Sequence, residues 1–97
     1  MPTQKRYHIN FQQRRTTITV DNIISELLAV KLGTLPDQPE THSMIRQWFQ
    51  ETLEEKLGHN VPGGNQVSQY ARQYAIEALA DKKLMDKVWI WRLESGD

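Results

Sequence analysis

Between Tyr7 and Val20 the chain alternates. Tyr7, Ile9 and Phe11 are separated by His8 and Asn10, and Thr16, Ile18 and Val20 alternate with Arg15, Thr17 and Thr19. A period of two marks strands with one face turned to a core. The second run predicts a strand over 14–20. The first could pair with it as a hairpin, but Gln12-Gln13 is a poor tight turn, a place that prefers Asn-Gly or Gly. Residues 1–13 therefore read either as an extra strand or as a basic N-terminal arm.

After Val20 the period lengthens to that of a helix. Asp21 is a suitable N-cap, its carboxylate able to accept first-turn N–H groups. Ile24, Leu27, Leu28 and Leu32 follow at helical spacing, with Ile23 and Val30 widening the stripe, and Gly33 supplies a stop. This predicts a helix over 22–32. The linker "TLPDQPE", with Pro36 and Pro39, resists regular structure. A second helix begins near Thr41 or Ser43, spans 43–57 and ends at Gly58, with Ile45, Trp48, Phe49, Leu53 and Leu57 on one face. The stretch "HNVPGGN" reads as a turn. Val67, Tyr70, Ala71, Tyr74, Ala75, Ala78 and Leu79 then give the most regular helical pattern, predicting a helix over 66–86. The last run, "KVWIWRL", is rich in β-branched and aromatic residues and reads as a short strand over 88–93, with a continuing helical tail as the alternative. The fold class expected is mainly α with a short β-ribbon.

Composition narrows the chemistry. Ninety-seven residues suit one domain with a modest core. The absence of cysteine excludes disulfides and thiolate metal sites. His8, His42 and His59 lie far apart in the chain, so neither a metal nor any other cofactor is expected. Gly63-Gly64 lacks the Lys-Ser/Thr that a phosphate-cradling loop requires. Ser25, Ser43 and Ser68 lack the glycine pattern of a nucleophile elbow, and Glu54-Glu55 sits on a charge-rich, solvated helix surface. A non-enzyme is expected. The N-terminus has no apolar leader and no stretch has the ~18 apolar residues of a membrane span, which gives a cytoplasmic expectation.

Charge is where the bland totals conceal an asymmetry. The net charge is zero, against nonspecific nucleic-acid binding by the whole surface. Yet residues 1–20 carry Lys5, Arg6, Arg14 and Arg15 with no acid, a balance of +4, while residues 21–97 carry eight Lys/Arg and twelve Asp/Glu, a balance of −4. The basic end coincides with the strand "RRTTITVD". One face of that strand offers Thr16, Ile18 and Val20 for burial. The other offers Arg15, Thr17 and Thr19, all able to hydrogen-bond to base edges in a DNA major groove, which admits a two-stranded ribbon.

In order and content, "RRTTITVDNIISELLAVKLG" followed by "THSMIRQWFQETLEEKL" resembles the strand and two helices of the ribbon-helix-helix family of bacterial DNA-binding proteins. The resemblance covers about residues 14–57. It implies a homodimer, or a higher homo-oligomer, in which two chains pair their strands into one ribbon that enters the major groove of double-stranded DNA. It implies base contacts by Arg15, Thr17 and Thr19, and a phosphate clamp at the second helix's N-terminus through the backbone N–H groups of Thr41, His42 and Ser43. Lys5, Arg6 and Arg14 would add phosphate contacts from the arm. The linker is longer than the family's usual connection, and residues 58–97 have no counterpart in its minimal motif. They would serve oligomerisation or bind a protein partner.

The function expected is sequence-specific DNA binding, as a transcriptional repressor or a plasmid- or antitoxin-type regulator. The alternative is an α+β protein-interaction module without nucleic acid. In it, strands 7–11, 14–20 and 88–93 form one intramolecular sheet, with Trp89 and Trp91 anchoring the last strand. A third arrangement, in which the helix at 43–57 reads DNA, is disfavoured by Glu51, Glu54 and Glu55.

Overall fold

The structure, a computed structural model, describes residues 3–11, 13–58 and 66–94. Two strands lead, β1 (Gln4–Phe11) and β2 (Arg14–Asp21). Among the described residues four helices follow: α1 (Asn22–Lys31), α2 (Thr41–Leu57), α3 (Gln66–Leu79) and α4 (Lys82–Glu94). The fold is a β-ribbon with helices packed on one of its faces, as the chain's periodicity implies.

The strands are antiparallel and paired in register from Gln4 opposite Asp21 to Phe11 opposite Arg14. The N-terminal segment is thus a strand and not a free arm. The two-residue connection closes because Gln13 takes a left-handed backbone conformation, with φ 66°; Gln12 lies outside the described residues. Glutamine is an uncommon occupant of that region, which is why sequence alone argues against the turn. Favourable cross-strand neighbours on the inner face, such as Tyr7 opposite Ile18, offset the strain.

That inner face makes the core. Tyr7, Ile9, Phe11, Ile18 and Val20 are buried, and Thr16, opposite Ile9, is half-buried. α1 contributes Ile24, Leu28 and Ala29, α2 contributes Ile45, Phe49 and Leu53, and α3 contributes Val67, Ala71 and Ala75. The small side chains of α3 face α1 and β2, letting its backbone come close. Ser25 is the buried polar group of α1, and the Tyr7 hydroxyl donates to its Oγ at 3.0 Å.

Helix boundaries follow local chemistry, with three departures from expectation. Asp21 does occupy the N-cap of α1, but its side chain makes no capping bond. The Asn22 N–H goes instead to the Thr3 carbonyl at 2.9 Å, and the Asp21 carboxylate is drawn to Arg72 of α3 at 3.2 Å. At the other end Gly33 has φ 89°. Thr34 N–H then reaches the Ala29 carbonyl and Gly33 N–H the Val30 carbonyl, the paired bonds of a Schellman stop. The second departure lies at 80–81, where the expected helix over 66–86 breaks in two. Asp81 Oδ1 accepts the Lys83 N–H at 2.8 Å and so starts α4. The third is the expected strand over 88–93, which is helical throughout. A lone strand must find a sheet edge for its backbone groups, whereas a helix satisfies them internally. Side chains from α2 and α3 already occupy positions along both edges of the ribbon. The expected turn at 59–65, with Gly63-Gly64, lies outside the described residues.

Two substitutions check this picture. Gln13→Gly should stabilise the protein by about 0.5–1 kcal/mol in urea unfolding, because glycine accepts a positive φ without a Cβ clash but loses more chain entropy. Tyr7→Phe should cost about 1 kcal/mol by stranding the Ser25 hydroxyl. Burial, partly offset by the bond to Ser25, raises the pKa of Tyr7 above its ordinary 10.0. The unfolded chain therefore ionises this phenol first. Tyr7's contribution is complete below about pH 10 and fades as pH rises through the folded value. Tyr7→Phe should flatten the alkaline fall in stability measured by unfolding between pH 9 and 11.

Candidate nucleic-acid interface

Alternation that buries Tyr7, Ile9, Phe11, Ile18 and Val20 forces their neighbours outward. The outer face therefore carries Arg6, His8 and Asn10 from β1 opposite Thr19, Thr17 and Arg15 from β2, in that order. All are exposed except Thr19, which is half-buried. Six side chains able to donate hydrogen bonds lie in two rows on a surface about one strand spacing wide. Within the face, His8 Nδ1 and Thr17 Oγ1 are 2.9 Å apart, a bond whose direction depends on the histidine tautomer. Asp21 ends the β2 row, paired with Arg72; both side chains are more than a third exposed, so the pair adds little stability.

The edges of this ribbon are held by helices. On the β1 side, Asn10 N–H donates to Gln50 Oε1 at 2.9 Å, and Gln50 Nε2 donates back to the Asn10 carbonyl and also to Glu54. His42, with Nε2 protonated, donates to the Arg6 carbonyl at 3.4 Å while its ring stacks on Tyr7 at 4.7 Å. On the β2 side, Thr19 N–H donates to Ser68 Oγ at 3.1 Å. Arg6 and Thr19 are cross-strand partners. The first turns of α2 and α3 thus flank the ribbon at one level, one at each edge.

The residues singled out from sequence do not share one surface. Arg15, Thr17 and Thr19 lie together on the outer face, joined by Arg6, His8 and Asn10. Lys5 and Arg14 alternate onto the core side, at strand ends where both stay exposed. Thr41 is buried, its hydroxyl donating to the Leu35 carbonyl and lying 3.0 Å from Thr34 Oγ1. It ties the linker, and its N–H, expected to join a backbone phosphate clamp, goes to the Gln38 carbonyl at 3.2 Å. His42 is engaged by Tyr7 and Arg6, while Ser43 is exposed, and the N-cap position of α2 is the acidic Glu40. His8 and Asn10 were legible in principle, since alternation with Tyr7, Ile9 and Phe11 already sends them outward. The unpromising Gln12-Gln13 turn masked that signal.

The strand pairing also differs from what the family resemblance implies. In that arrangement the ribbon takes one strand from each of two chains, whereas here β1 of the same chain pairs with β2. A ribbon exists within one copy. A cleft of about 470 Å³ opens between the end of α1 and α2, lined by Leu32, Met44 and Trp48 with polar neighbours, and no ribbon residue lines it. Among the described residues no helix is long and apolar enough to cross a membrane. No protein-family model, curated protein or solved structure matches the chain.

Replacing Gln50 with Ala should lower stability by about 0.5–1 kcal/mol, the scale of a solvent-accessible backbone cap. It should also speed amide hydrogen exchange at Asn10 more than at Ile9, measured by NMR.

Proposed function

We propose that this protein binds double-stranded DNA, laying the outer face of its β1–β2 ribbon in the major groove and reading sequence there as a repressor-type regulator. The observation that carries this reading is the composition of that face. Arg6, His8, Asn10, Arg15 and Thr17 are exposed in register, and the carboxylate at the end of their rows, Asp21, is paired with Arg72. Arginine can pair bidentately with guanine and asparagine with adenine, and threonine can bond a base or touch a thymine methyl. A two-stranded ribbon has the width to enter the groove. Lys5 and Arg14 alternate onto the core side but stay exposed at the strand ends, from which their long side chains would reach around to flanking phosphates, and the acidic residues lie mostly on the helices.

A second reading, docking onto another protein, draws on the apolar side chains that α4 leaves exposed, Trp89, Ile90 and Leu93. The two readings make opposite demands on the ribbon, since only DNA binding needs its polar face.

Selection from a random duplex library at low salt, followed by fluorescence anisotropy on the enriched sequence, tests the proposal. The enriched duplex should bind the intact chain, and Arg15→Ala with Thr17→Ala should weaken it by about 1–3 kcal/mol per lost base contact. Lys5→Ala should instead weaken all sequences alike and reduce the salt slope by about one. Failure to bind any duplex, or binding unchanged by the ribbon substitutions, rejects the reading.

A further inference from the structure

α1 is too apolar for the one face that it buries. Ile24, Leu28 and Ala29 point into the core, yet Ile23, Leu27 and Val30 stand 59%, 48% and 61% exposed. These three recur at a spacing of four and then three residues, so they form a single stripe along the outward side of the helix. In heptad terms Ile23 is a d position, Leu27 the next a and Val30 the next d. That is the seam of a left-handed, parallel helix pair.

The flanking charges say what covers the stripe. Glu26 and Lys31, both exposed, take the g position and the following e position on opposite sides of the seam. In a parallel two-fold pair, the g residue of one helix meets the residue five further along the other. Each Glu26 would then face the other copy's Lys31, twice by symmetry. In an antiparallel pair like charges share a flank instead, Glu26 with Glu26 and Lys31 with Lys31. Opposite charges thus select a second copy of this chain, in one orientation.

We infer that α1 is a self-association surface, on which two copies pair their α1 helices in parallel through Ile23, Leu27 and Val30, with Glu26 of each beside Lys31 of the other. The inference does not depend on the DNA reading. It places the dimer contact on a helix, with both ribbons intact within their own chains. Three apolar side chains per copy fall well short of the ~800 Å² per partner of a standard interface, so the dimer is weak and concentration-dependent.

Sedimentation velocity on the full chain up to roughly millimolar concentration, where so small an interface is populated, should show a monomer–dimer equilibrium. Leu27→Glu should raise the dissociation constant at least about tenfold while leaving the circular dichroism unchanged. Glu26→Lys and Lys31→Glu should each weaken self-association, and an equimolar mixture of the two should restore it as a heterodimer. The orientation has its own test, made clean by a chain with no cysteine of its own. In a parallel pair identical residues of the seam face each other. Ile23→Cys, Leu27→Cys and Val30→Cys should therefore each form a disulfide-linked dimer under mild oxidation. A chain that stays monomeric throughout overturns the inference, as does a dimer indifferent to Leu27→Glu. Crosslinking at only one of the three positions overturns the parallel geometry.

Discussion

A ribbon of two strands cannot stand alone, and the burial of its inner face is the constraint on which the rest of this molecule depends. Two-stranded hairpins are marginal in water because half of their side chains have nothing to pack against. Tyr7, Ile9, Phe11, Ile18 and Val20 reach burial only because α1, α2 and α3 cover them from one side. The cover is also polar at its margins. Gln50 and His42 on one edge and Ser68 on the other take up outward-pointing backbone groups, which blunts edges that would otherwise invite pairing with other chains.

That one-sided cover defines the rest of the surface. With helices on one face, the other face of the ribbon stays open, and alternation places Arg6, His8, Asn10, Arg15, Thr17 and Thr19 there. The same geometry limits how much of α1 can be buried. Lying over the ribbon beside α2 and α3, it can turn Ile24, Leu28 and Ala29 inward, which leaves Ile23, Leu27 and Val30 facing out. A polar reading face on one side and an apolar stripe on another thus both follow from folding a short amphipathic chain around a single hairpin.

Sequence legibility tracked how local each signal was. Helix stops were readable because Gly33 and Gly58 supply positive φ at the right places. Arg15, Thr17 and Thr19 were readable as a shared face because period-two alternation is a property of the backbone itself. The hairpin was harder, since a Gln-Gln turn offers no favourable φ and closes only with help from cross-strand packing. The strand expected at 88–93 reflected propensity without a partner. Its tryptophan and β-branched residues fit a strand, but helix side chains already hold the ribbon's edges at Arg6, Asn10 and Thr19. The break at Asp81 carried a visible signal, an N-cap residue ahead of Lys82-Lys83, which the continuous apolar pattern on either side obscured.

By itself, then, the sequence determined the alternation of the strands, the helical faces, the glycine stops and the concentration of positive charge at one end. These depend on backbone periodicity and on residues near one another in the chain. Tertiary structure alone decided that β1 pairs with β2 inside one chain, that His42, though exposed, lays its ring on Tyr7, and that the apolar excess of α1 lies uncovered. Each of these depends on groups distant in sequence meeting in space. His42 finds the ring of Tyr7, and Asp21, still at the N-cap of α1, turns its carboxylate to Arg72 instead of capping.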